Sequence, residues 1–194
     1  MLTLALAIVA QGKGVWTDAA DATLPPDFKI QGEYAGEGAG AQVIALGKDS
    51  FQAVVYPGGL PGAGWDGKNK ILMDGKLEGG KASFKPAEGK KKYLAQAPEE
   101  FSATSKYPPE GQKAYSGEAS GDALKIKTDE GKMISLKKTV RKAPTLGAPA
   151  PKGALVLFDG TNTDEWQGGR LDAATKFLNT DGKDIVTSAS SPII

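Results

Sequence analysis

The sequence predicts an all-β protein: an antiparallel meander closing as a small barrel or sandwich, followed by the first strands of a second, incomplete β-sandwich. Three observations lead there. Short runs alternate apolar and polar residues with a period of two, the pattern of strands with one buried face. The connections between runs are brief and carry glycine, whereas a parallel pair needs a crossover of about a dozen residues or more. The 26 glycines and 12 prolines make about a fifth of the 194 residues, which fits many tight turns and stays under the roughly 25–30% that marks disorder.

The chain opens on Leu2 to Ala10, an uncharged apolar run as long as a signal-peptide hydrophobic region and too short to span a bilayer. Residues 1–22 are expected to be signal and lead-in, which makes the protein exported, periplasmic or extracellular. No basic residue precedes the run, so an N-terminal strand or helix tucked against a core is the competing reading. Trp16, just beyond it, is either a sugar-stacking platform or a plug at the edge of a core.

Residues 23–142 form the expected N-terminal antiparallel β domain. Phe28-Lys29-Ile30-Gln31-Gly32-Glu33-Tyr34 reads as its first strand, with Phe28, Ile30 and Tyr34 on one face. Ala41–Leu46 and Ser50–Tyr56 follow as strands across the turns Gly36–Gly40 and Gly47-Lys48-Asp49. Pro57 to Gly67 is a long loop with Trp65 near its end; it lacks the Lys-Ser/Thr ending of a P-loop and the spacing of a dinucleotide fingerprint. Lys70–Met73, Lys76–Glu78 and Lys81–Pro86 read as strands joined by the hairpin turns Asp74-Gly75 and Gly79-Gly80. Lys90-Lys91-Lys92 reads as a solvated turn. Residues 93–113 are polar, with a short helix suggested at Pro98–Phe101 and with Phe101 and Tyr107 as buried contacts. Ala114–Ala119, Ala123–Lys127 and Met133–Lys138 complete the meander, each with one apolar and one polar side. Residues 143–153, with three prolines at short intervals, are a semi-rigid linker. Beyond it, Ala154–Phe158 is an apolar run stopped by Asp159-Gly160, read as a buried strand and a turn; residues 154–194 are too few for a complete β domain.

Composition excludes several chemistries. With 24 basic and 23 acidic residues the formal charge is +1, so no field favours nucleic acid. The absence of Cys and His removes thiol nucleophiles, Ser-His-Asp triads, imidazole acid–base chemistry and thiolate or imidazole zinc sites. No metal site and no membrane partner after signal removal are expected, and no cofactor is legible. Tyr34-Ala35-Gly36-Glu37 and Tyr115-Ser116-Gly117-Glu118 share one spacing. Glu37 and Glu118 are therefore either a carboxylate pair or two solvated strand-end residues.

Leu155-Val156-Leu157-Phe158-Asp159-Gly160-Thr161, with Trp166 shortly after, resembles the opening of the keto-disaccharide hydrolase domain family. The segment before the linker is similar to an N-terminal extension found in some of its members. The resemblance implies an exported bacterial protein, a concanavalin-like jelly roll beginning at residue 154 and truncated here, and a carbohydrate or glycoside substrate. The implied reaction is cleavage of glycosides whose C3 hydroxyl is already a ketone. The ketone acidifies the C2 proton, a base removes it, the C1 substituent is expelled, and water adds back. The resemblance puts the catalytic groups on sheet positions beyond Ile194, so none is named. The alternative is a non-catalytic glycan-binding or structural β module, with Trp65 and Trp166 as ligand-binding residues.

Overall fold

The structure is a computed structural model that describes residues 16, 18–91, 97–180, 182 and 184–188. The signal run Leu2–Ala10 lies outside the described residues. The chain divides into two compact units between Arg141 and Lys142.

The first unit is a closed eight-stranded barrel. A five-residue helix α1 (Pro26–Ile30) leads into β1 (Gly32–Gly36), β2 (Ala39–Gly47), β3 (Ser50–Pro57), β4 (Ile71–Glu78), β5 (Lys81–Pro86), β6 (Ser116–Ser120), β7 (Ala123–Lys127) and β8 (Met133–Thr139). Each strand pairs antiparallel with the next, and β8 returns to β1 with Tyr34 opposite Lys138. Eight strands leave an interior just wide enough for side chains to fill. Tyr34, Phe51, Ile71, Met73, Phe84, Leu124, Ile126 and Leu136 fill it, each fully or almost fully buried. The barrel is thus a body packed by its own side chains.

The outer face of β3 and β4 is covered as well. Val54, Tyr56 and Leu72 form a second apolar cluster with Leu60 and Ala87, closed over by Trp65, Ala103 and Tyr107. The loops that follow β3 and β5 therefore wrap this side of the barrel. Gln112 fastens the wrap by doubling as a strand partner: its Oε1 accepts from Leu72 N at 2.8 Å and its Nε2 donates to Leu72 O at 3.0 Å.

Three expected strand assignments change. Residues 26–30 are helical because Pro25-Pro26 pre-sets the first helical turn and Asp27 lies in it. Ile30 and Tyr34 are nevertheless both buried, and the Tyr34 hydroxyl donates to Ile30 O at 2.5 Å. Asp74-Gly75 is no hairpin turn but the middle of β4, paired to Gln52 and Phe51 on one side and to Lys85 and Phe84 on the other. A Cβ at Gly75 would stand 2.5 Å from the Phe84 ring, so glycine is there for close packing. Ala154–Phe158 forms no strand, and Leu155, Val156 and Leu157 are exposed. The suggested helix at Pro98–Phe101 is a 3-10 turn over Pro98–Glu100.

The second unit holds four two-residue strands: β9 (Trp166–Gln167), β10 (Arg170–Leu171), β11 (Leu178–Asn179) and β12 (Val186–Thr187). β10 pairs with β11 and β9 with β12, both antiparallel. Asp159 closes the turn expected of it, its Oδ1 accepting from the Thr161 N at 2.9 Å and from the Thr161 hydroxyl at 2.6 Å. Those two bonds, the hydroxyl first, hold its carboxyl below the usual carboxylate range.

Candidate functional site

The tryptophans are where an all-β, His-free chain would meet a sugar, and the three have different surroundings. Trp65 is half-buried against the wrapped face of the barrel. Its indole N–H donates to Asn69 O at 2.7 Å, the Tyr56 ring meets it edge-on with centroids 5.2 Å apart, and the Lys70 ammonium lies 5.2 Å from its ring centre. Trp166 is half-buried in β9, and its indole N–H donates to Leu157 O at 2.7 Å. Both indole N–H groups are taken by backbone carbonyls. Trp16 differs: 42% of its surface is exposed. Its N–H donates to the Thr23 hydroxyl at 3.1 Å, and that hydroxyl donates to Asp21 at 2.7 Å. The relay fixes the plane of the ring without covering it.

Trp16 borders a cleft of about 540 Å³ against α1 and the end of β2, with Phe28, Asp18, Asp27 and Gln31 among its lining. Aromatic faces pack against the C–H faces of a pyranose, while carboxylates and an amide take its hydroxyls. The set suits a neutral sugar and holds no arrangement for nucleophilic attack.

A second cleft, of about 510 Å³, lies over β3, β4 and β5. Register puts Ser50, Lys76 and Ser83 in one cross-strand row and Gln52, Asp74 and Lys85 in the next, all on the outer face. Gln52 is fully buried and ties down the loop after β5: its Nε2 donates to Asp74 Oδ1 at 3.1 Å and to Phe101 O at 3.3 Å, and its Oε1 accepts from Ala103 N at 2.5 Å. The other Asp74 oxygen is ion-paired with Lys91. Lys91, expected in a solvated turn, keeps only 11% of its side chain exposed. A triple-lysine run in a neutral chain gives no sign of which member turns inward, so the sequence missed it. The Lys76 ammonium donates to the Ser50 hydroxyl at 2.6 Å and lies 3.9 Å from Glu99. The Ser50 hydroxyl in turn donates to Lys48 O at 3.4 Å.

The remaining polar network is structural. Arg141 grips Glu33 with two hydrogen bonds of 2.6 Å and donates a third to Pro61 O at 2.7 Å. Gln42 donates to Glu33 at 2.9 Å and accepts from the Tyr56 hydroxyl at 2.6 Å. The Arg141 hydrogen bonds hold the Glu33 carboxyl below its ordinary value, against burial, with Gln42 assisting. Burial, and then the Glu33 charge, push the Tyr56 hydroxyl up.

Glu37 and Glu118 do not form an acid–base pair. Glu37 lies in the turn after β1 and Glu118 in β6, with β7 and β8 between those strands, which at about 4.8 Å per step spaces them on the order of 14 Å. Glycosidase carboxylates stand roughly 5–9.5 Å apart. Glu118 is instead paired with Lys81 at 3.1 Å. Among the described residues there is no cluster of three or more metal-ligating side chains, and no helix is long and apolar enough to cross a membrane. Comparison with protein-family models, with curated proteins and with solved structures finds no match to this chain.

Proposed function

We propose that this chain is the N-terminal part of an exported carbohydrate-active hydrolase, and that its barrel is a non-catalytic glycan-binding module. The observation that carries the binding role is Trp16: an aromatic face held in place by Thr23, left open to solvent, and bordered by Asp18, Asp27 and Gln31. A barrel whose interior is filled by its own side chains supports external binding. The hydrolase role rests on the resemblance of Leu155–Thr161 and Trp166 to the keto-disaccharide hydrolase opening. On that reading the whole protein acts on 3-keto-glycosides by elimination and hydration, and the barrel keeps it near its polymeric source.

Isothermal titration of the chain with cellohexaose and with maltohexaose tests the binding role. Binding to at least one, weakened about tenfold or more by Trp16→Ala, is the expected result; tenfold is about 1.4 kcal/mol, within reach of burying one apolar ring face. No binding to either, or equal binding by the variant, would remove the proposal.

A further inference from the structure

The cleft over β3, β4 and β5 divides into a closed rear and an open front. At the rear, Gln52, Asp74 and Lys91 satisfy one another and the loop after β5. In the front row Ser50 is buried, its hydroxyl taken by Lys76 and by Lys48 O, whereas Lys76, Ser83 and, beside them, Lys85 are exposed. Lys85 is exposed and has no hydrogen-bond or ion-pair partner among the described residues. Lys76 donates to the Ser50 hydroxyl at 2.6 Å and has its carboxylate partner, Glu99, only at 3.9 Å. The lining thus sets three ammonium groups, on Lys76, Lys85 and Lys91, against two carboxylates, on Asp74 and Glu99. One positive charge is left over, at the mouth.

The rest of the lining sets what an anion must look like. Leu46 and Pro98 give apolar contact, and Ser83 and Glu99 offer a hydroxyl and a carboxylate partner at separate points. A bare inorganic anion would use the lysines and none of these. The volume of about 510 Å³ falls among small-molecule sites of roughly 300–1,000 Å³. We infer that this cleft binds a sugar acid, its carboxylate between Lys76 and Lys85, its hydroxyls on Ser83 and Glu99, and its ring C–H face on Leu46 and Pro98. The site is separate from Trp16 and does not depend on that residue binding anything. Two sites of different charge preference would let one barrel hold neutral and acidic stretches of a mixed glycan.

Titration of the chain with glucuronate, glucose and acetate at fixed ionic strength tests it, with the double variant Lys76→Gln/Lys85→Gln and, as a control of equal charge change elsewhere, Lys125→Gln/Lys127→Gln on the exposed side of β7. The expected result is glucuronate binding at least tenfold tighter than glucose or acetate, lost by at least tenfold in the double variant and kept in the control. A matching thermal midpoint for wild type and double variant separates lost contacts from lost folding. Equal binding of acetate and glucuronate would show an anion site that does not read the sugar, and equal binding of glucose would show no use of the lysines; either overturns the proposal. So does an absence of glucuronate binding. Cellohexaose binding that persists alongside such an absence would leave the Trp16 site standing.

Discussion

Gln52 ties two parts of the barrel wall together through one polar side chain. It is buried on the outer face of β3, and three of its bonds cross to β4 and to the loop after β5. Gln52→Ala would leave Ala103 N and one Asp74 oxygen short of a partner, a penalty of about 1–3 kcal/mol. Equilibrium urea unfolding reads that loss as a lower midpoint. Glu33 gives a second prediction, with a definite sign. Its folded value lies below the ordinary 4.5 because of the Arg141 hydrogen bonds, so it adds stability that is present above pH 4.5 and is lost as pH falls through the folded value. Thermal midpoints of wild type and Glu33→Gln should therefore converge as the solution is acidified from neutral. Parallel curves would show that the grip of Arg141 adds nothing. Tyr34 behaves the other way: burial, and then the Asp122 charge, push its hydroxyl up to about 12. A value raised by folding adds stability below the unfolded value of 10.0 that is lost as pH rises through about 12. Alkaline unfolding monitored by tyrosinate absorbance should accordingly begin above pH 10 and coincide with Tyr34 ionisation.

At the scale of elements, the hairpins were legible where turn chemistry and alternation agreed. Gly79-Gly80 joins β4 to β5, and Gly121-Asp122 joins β6 to β7, as their sequences require. Asp74-Gly75 was misread because the same dipeptide that makes a tight turn also makes a strand centre without a side chain. Only the neighbouring strand, with Phe84 opposite Gly75, distinguishes the two. Gly75→Ala should cost about 1–3 kcal/mol by overpacking, and Phe84→Leu in that background should recover part of it. A simple sum of the two single losses would mean that ring and glycine do not meet. The repeated Tyr-x-Gly-Glu spacing has a related meaning. Cβ atoms at Gly36 and Gly117 would each stand 2.6 Å from a carbonyl of the adjacent strand, Ser135 O and Lys125 O. The glycines, rather than the glutamates, explain the repeat.

For the molecule as a whole, the all-β class and the antiparallel order followed from period and turn length, both local properties. Closure did not, because the contact of β1 with β8 joins residues about a hundred positions apart and leaves no local trace. The same limit hid the site. Asp74, Lys76, Lys85, Lys91 and Glu99 are scattered over four segments, and the pairing of β4 with β5 and the loop after β5 bring them to one cleft. Trp65 and Trp166 stood out by residue type, yet their indole N–H groups are occupied by Asn69 and Leu157. Trp16, in a lead-in without period, keeps the open face.

The most direct test of a packed barrel that binds glycan on its outside is nuclear magnetic resonance of the isotope-labelled chain titrated with cellohexaose and with maltohexaose. With at least one of them, shifts should appear at the Trp16 indole, Phe28 and Gln31 and be absent from the interior side chains Phe51, Met73 and Leu136. Shifts centred on those interior groups, or none anywhere at saturating sugar, would contradict the account.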